Sequence, residues 1–226
     1  MHRMSAGGGG VPRGGMPHFR ARCAATVGLC GLLLVHRLGA AGASTAASNT
    51  GLPAELELFG FEDGLQEWVI PAWEAAAPDY AGRRLDISRE MMSHGAAALQ
   101  LLVDFTGERW TGAYVEREMY VNDWRPYRIL AVDVYLPPEA PEGLKARIIL
   151  TTGDQWRWTE QNRALPLEPG LWTTVRANLM PDSVDWAFFP DDTFRRDIRK
   201  IGIRIEAERG TVYRGPVHLD DIRLIR

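Results

Sequence analysis

Several residue types that carry chemistry are scarce in this 226-residue chain. It has two cysteines, Cys23 and Cys30, and both fall in the first 43 residues. Beyond that point there is no thiol or disulfide chemistry to draw on. Only two histidines remain there, His94 and His218, and their spacing is not that of metal ligands. No nucleophile elbow, phosphate loop or dinucleotide fingerprint occurs. Lysine is limited to Lys145 and Lys200. The longest apolar run, Cys23–Val35, has 13 residues, short of the ~20 that a membrane-spanning helix needs. No long helical period is present and no internal repeat is visible.

The first 43 residues differ from the rest. Met1–Gly15 is glycine-rich, Arg20 and Arg22 precede the apolar run, and small residues follow it at Ala41–Ala43. A basic region, an apolar region and an Ala-x-Ala site in that order read as a secretory signal peptide over 1–43, with Met16 an alternative start. A lipid anchor at Cys30 fits less well, because Leu29 stands where a small residue is needed. The expected location is secreted or periplasmic. Residues 44–54 read as a linker and 55–226 as one domain. Removing the leader's five arginines leaves 21 basic against 29 acidic residues, a net charge of −8. That balance argues against nucleic acid and strongly anionic polymers as partners.

Within 55–226 the recurring pattern is period-two alternation broken by turn residues, which predicts an all-β antiparallel sandwich of nine to eleven strands. Tyr127–Leu136, Lys145–Thr152 and Ile198–Glu206 are the clearest strands. Pro181–Phe194 reads as an irregular loop. The last stretch, Gly215–Arg226, switches parity. Val217 and Leu219 share one face, then Ile222 and Leu224 share it. A strand keeping one face buried changes parity only by inserting a residue, so a bulge is expected at Asp220-Asp221.

All eight tryptophans lie beyond the leader. Indole rings stack on the apolar C–H faces of sugars while polar groups take the hydroxyls. Trp156 and Trp158 are two apart, which on a strand places them on one face about 7 Å apart along the chain. Arg157, Glu160 and Gln161 are nearby hydroxyl partners. Trp110, Trp124 and Trp186 fall in turns or loops, and Tyr135 is outward on its strand. Together Trp156, Trp158, Arg157, Trp110, Trp124, Tyr135 and Trp186 form the expected ligand-binding set. Tyr114, Arg204, Asp133 and Glu206 are further outward candidates. Trp68 and Trp172 read as core. The competing expectation is that Trp156 and Trp158 fill the core as well.

The ending Gly215–Leu224, taken with Phe59-Gly60-Phe61-Glu62-Asp63-Gly64, resembles the carbohydrate-binding modules of the galactose-binding-like β-sandwich group found with bacterial mannanases and xylanases. The resemblance covers roughly Leu56–Leu224. It implies a jelly-roll topology and polysaccharide binding. It also implies a structural calcium shared by acids of the first and last strands, here Glu62 and Asp220, with Asp221 beside them. No fused catalytic domain is visible, so a role on a larger cell-envelope assembly is open. Two other readings stand: a structural, adhesion or assembly domain whose tryptophans are all core, and a polysaccharide-active enzyme. The enzyme would need two carboxyls facing each other across a cleft. Glu116 with Glu118, and Glu206 with Glu208, share faces, but nothing in the sequence shows a cleft, and a non-catalytic protein is the expectation.

Overall fold

The computed structural model describes residues 52–188 and 190–226. The expected signal peptide, and the linker as far as residue 51, lie outside the described residues. Among the described residues, eleven strands form two antiparallel sheets. The first sheet contains β1 (Glu55–Phe59), β2 (Gly82–Ser88), β3 (Ala98–Thr106), β5 (Ile129–Tyr135), β9 (Trp172–Asn178) and β11 (Val212–Ile225). Its order is β2-β3-β11-β5-β9, with β1 paired to the far half of β11. The second sheet contains β4 (Thr111–Glu118), β6 (Lys145–Thr152), β7 (Arg157–Glu160), β8 (Leu165–Pro166) and β10 (Ile198–Ala207). Its order is β4-β10-β6-β7, with β8 also on β6.

Alternation places the core between the sheets, as expected for a sandwich. Leu99, Leu101 and Val103 from β3, Leu130, Val132 and Val134 from β5, and Val217 and Leu219 from β11 face one way. Ala146, Ile148 and Leu150 from β6, with Ile201, Ile203 and Ile205 from β10, meet them. All of these side chains are essentially buried. Each fully buried large apolar side chain stabilises the fold by ~1.5–3 kcal/mol.

The bulge in β11 is present. Its register against β5 shifts between Asp220 and Arg223, and Asp221 has a φ of 43°. The extra residue returns Ile222 and Leu224 to the core. The bulge also turns Asp220 into an anchor for the chain ahead of β3. Its Oδ2 accepts from the backbone N–H of Ser93 at 2.8 Å, the Ser93 hydroxyl at 3.2 Å and the N–H of His94 at 3.0 Å.

Two short helices depart from the sequence reading. In α1 (Ala72–Ala75), Pro71 stands at the N-cap. In α2 (Asp192–Arg196), the Asp191 carboxylate caps the helix by accepting from the Phe194 N–H. The second starts within the Pro181–Phe194 segment read as irregular and ends beyond it, at Arg196. Between β1 and α1 the chain makes a single antiparallel bridge, from Val69 to Glu116.

His218 on β11 is buried on the outer side of the first sheet, 5.9 Å from the Tyr135 ring and 3.3 Å from the Gln100 amide. Its Nδ1 has no hydrogen-bond partner among the described residues. Burial disfavours the imidazolium and brings its pKa down to about 4. The unfolded chain therefore binds the extra proton more readily below the ordinary histidine pKa of ~6.5. Stability is complete above that pH and falls as the pH drops toward 4. We expect the melting temperature to fall across this window, and less steeply in His218→Gln. Parallel melts of the two proteins at pH 7 and pH 4.5 check this. Equal slopes contradict it.

Candidate functional site

Strand alternation that buries isoleucines on β10 turns Lys200, Gly202, Arg204 and Glu206 outward on the second sheet. Their register neighbours on β4 are Glu118, Glu116, Tyr114 and Gly112. Two glycines shape this face. The Tyr114 ring lies across Gly202, where an added Cβ would fall 2.2 Å from the ring. The Arg204 stem lies across Gly112, where a Cβ would fall 2.9 Å from its Cδ. Glycine at these two positions lets both long side chains lie flat on the sheet.

Three tryptophans gather over this floor. Trp158 on β7 is 5.3 Å from Tyr114, centroid to centroid. Trp73, on α1, is 5.5 Å from Tyr114 and 6.0 Å from Trp158. Trp110, just before β4, faces the Arg204 guanidinium at 5.6 Å. A fourth, Trp156, has its ring 5.6 Å from Lys200 Nζ farther along the same face. These four tryptophans are 38–55 % exposed, unlike Trp68, Trp124 and Trp186, which are at most 2 % exposed. Exposed aromatic surface gathered on one face of a folded domain marks a binding surface more than a packing need.

Under the rings is a charge quartet. Arg204 contacts Glu160 and Glu206, each at 2.9 Å. Arg147 contacts Glu206 at 2.6 Å and Glu160 at 3.6 Å. Two guanidiniums and two carboxylates compensate one another in a partly buried setting. Such a network fixes its members' directions more than it adds stability. Beside it, Glu116 accepts from the Tyr114 hydroxyl at 3.0 Å and from Lys200 at 2.7 Å. Burial and the Glu116 charge raise the Tyr114 hydroxyl's pKa, so it stays protonated and donates.

The resulting cavity is about 150 Å³, lined by Trp73, Trp110, Trp158, Tyr114 and Arg204, with Glu74 and Asp79 at its side. It is smaller than the several-hundred-Å³ pockets that enclose drug-sized ligands, and its scale suits a sugar ring. Larger cavities of about 520 and 510 Å³ lie beside Arg163 and Arg176, and beside Ser88 and Gln100. No aromatic residue lines either. Volume alone is therefore a poor guide, because the three clustered indoles line the smaller cavity.

The structure sorts the sequence-derived residues. Trp158 and Trp110 reach the cavity, together with Tyr114 and Arg204. Trp156 does not share a strand face with Trp158 as expected. It occupies a left-handed turn position, φ 51°, before β7 begins, and meets the face beside Lys200 instead. Arg157 alternates away and lies 4.0 Å over the Phe188 ring. Trp124 and Trp186 belong to the core, not to a binding surface. Their indole N–H groups donate to the Val121 and Asn178 carbonyls, and both rings are fully buried. Tyr135 is outward on the opposite sheet but buried between Trp172 and His218. Gln161, read as a hydroxyl partner, is consumed by backbone: it accepts from the Ile148 N–H and donates to the Arg176 carbonyl. Trp73 carried no role in the sequence reading. Its signal was weak, a single aromatic after Pro71 in a stretch with no periodicity.

The acids expected to share calcium are arranged otherwise. β1 and β11 do pair, but Glu62 Oε1 accepts from the Ala96 and Ala97 N–H groups at 2.8 and 3.3 Å. Asp220 accepts through both oxygens, Oδ1 taking the Asp221 N–H at 2.7 Å. Asp221 contacts Arg223 at 2.6 Å. Among the described residues, no three acidic or histidine side chains gather as ligands. Calcium requires six to eight oxygens with lone pairs directed at the ion. Here the carboxylates of Glu62 and Asp220 are aimed at N–H donors. They pin the 93–97 segment directly.

Comparison with known proteins places the fold. The carbohydrate-binding module CBM27-1 of Caldicellulosiruptor saccharolyticus, solved in complex with mannohexaose, matches with a TM-score of 0.53. The match has 16 % identity and covers 76 % of this chain and 96 % of that one. CBM28, described as specific for non-crystalline cellulose, matches with a TM-score of 0.54 and 18 % identity over 74 % and 92 % of the two chains. A structure reported for the promiscuous specificity of β-sandwich carbohydrate-binding modules matches at 0.52 and 16 % identity, over 75 % of this chain and 62 % of that one. The chain has the β-sandwich fold of carbohydrate-binding modules. No family model matches it, and no curated protein matches it.

The carboxylate arrangement generates a test. Asp220→Asn removes a buried charge-assisted acceptor of several N–H groups and is expected to lower stability by about 2 kcal/mol. Excess chelator is expected to leave the wild-type melting temperature unchanged. Thermal melts with EDTA and with added calcium check both points. A fall with EDTA that calcium restores contradicts this reading of Glu62 and Asp220.

Proposed function

We propose that this chain is a non-catalytic glycan-binding domain acting outside the cytoplasm. It takes a sugar residue against Trp73, Trp110 and Trp158, above Tyr114 and Arg204. The observation that carries this reading is the gathering of exposed tryptophans on one sheet face, while three of the other four tryptophans are buried. The likeness to carbohydrate-binding modules supports it at the level of fold. The ring planes of Trp73 and Trp158 are inclined by 76°, and those of Tyr114 and Trp158 by 47°. Rings so inclined do not form a flat platform. They suit a short stretch of flexible chain held from more than one side. The quartet supplies oriented N–H donors and carboxylate acceptors for hydroxyls.

The same geometry weighs against hydrolysis. Glu206 and Glu160 are tied to two arginines, and Glu116 is tied to Lys200 and Tyr114. Among Glu116, Glu160 and Glu206, every carboxylate is held by a basic side chain. Polysaccharide is the proposed partner. An extracytoplasmic location is supported by the leader's residue pattern. No helix among the described residues is long and apolar enough to cross a membrane.

Affinity electrophoresis in gels containing glucomannan, galactomannan, xylan or β-glucan tests the proposal. We expect retardation by at least one polymer. Trp73→Ala and Trp158→Ala, folded by circular dichroism, are expected to weaken it about tenfold each, equivalent to about 1.4 kcal/mol. Trp172→Ala, on the opposite sheet, is expected to retain it. Absence of retardation in every gel, or equal loss with Trp172→Ala, overturns the assignment in favour of a structural or adhesion role.

A further inference from the structure

The cavity carries a charge that the glycan-binding reading does not use. Arg204 and Arg147 are matched by Glu160 and Glu206, so the quartet sums to zero. Glu74 and Asp79 also line the cavity. Both are half-buried, and neither has an ion-pair partner among the described residues. The recess is therefore left with two uncompensated carboxylates beside three indole rings. Indole faces present their negative π surface to whatever enters.

That combination discriminates between sugars. A neutral ring stacks and donates hydroxyls but leaves both carboxylates without a counter-charge. A uronate brings a third anion into a partly desolvated space, where like charges repel strongly. A protonated amino group meets carboxylate acceptors and aromatic faces together, through charge-assisted hydrogen bonds and cation–π contact. We propose that the cavity selects by charge, taking residues that bear a free ammonium group, as in a β-linked glucosamine chain, ahead of neutral residues, and turning uronates away. This rests on the glycan-binding reading and narrows its ligand class.

The surroundings of Glu74 agree. Burial raises its carboxyl pKa above the usual range, the charges of Asp79 and Glu116 add to that, and Arg204 opposes it. Arg204 is the basic group nearest to compensating Glu74, and it is already engaged by two glutamates. An entering ammonium supplies the missing compensation. The arrangement also separates affinity from specificity: the rings bind any pyranose, and the two acids rank the candidates.

Isothermal titration of the mature protein with matched β-1,4 oligomers of glucosamine, N-acetylglucosamine, glucose and galacturonic acid, at mildly acidic pH and low salt, tests this. The glucosamine oligomer is expected to bind at least tenfold tighter than the glucose oligomer, and the galacturonate oligomer weakest. In Glu74→Gln/Asp79→Asn the preference for the glucosamine oligomer over the glucose oligomer is expected to shrink to within about twofold. Should that variant not fold, the wild type in about 0.5 M salt carries the same test, because screening there acts within a few ångströms. Equal or tighter binding of the neutral oligomers overturns the proposal. So does a preference that survives both the double substitution and high salt. Neutral oligomers binding without amine preference leave the glycan-binding reading intact, whereas no binding of any oligomer or polymer removes both.

Discussion

The site depends on how closely Tyr114 can approach the backbone of β10. With glycine at 202 the phenol lies flat across the strand, and any larger residue would lift it. The Arg204 stem does the same over Gly112 on the neighbouring strand. These two diagonal contacts make a floor one side chain deep on the outside of the sandwich. Trp73 and Trp158 rest on Tyr114, and Trp110 rests on Arg204. Without the floor, three indoles would project singly into water at a cost in exposed apolar area.

The acids of the first and last strands contribute to a different part of the molecule. Glu62 and Asp220 hold a single segment, Ser93–Ala97, from its two ends. The bulge that supplies Asp220 is thus a device of the fold. It reverses the parity of β11 and ties the chain entering β3 to the sheet. The aromatic face and this anchor lie on opposite sheets.

Much of the sandwich was legible from alternation. Lys145–Thr152 is β6 to the residue, and the other two clear strands were read to within one or two residues of β5 and β10. The bulge could be read because Leu219 and Ile222 cannot both be inward without an insertion. The site was legible only in part. Trp158, Trp110, Tyr114 and Arg204 were found because outward aromatic or charged residues on or beside strands stand out against an apolar alternation. Trp124 and Trp186 misled because loops can fold back into the core: each indole N–H finds a backbone carbonyl there. Trp73 escaped because a four-residue helix leaves no period to read. Strand order, which brings β4, β10, β6 and β7 together under the rings, is a property of long-range pairing that no local pattern encodes.

The account's central claim is that sugar contacts the aromatic triad above Tyr114 and leaves the core tryptophans and Trp172 untouched. Indole N–H resonances of the eight tryptophans, assigned by substitution and followed by NMR during titration with a bound oligosaccharide, test it most directly. The account predicts shifts for Trp73, Trp110 and Trp158, with Trp68, Trp124, Trp172 and Trp186 unmoved. Shifts centred on Trp172, or none at the triad while the sugar binds, would contradict it.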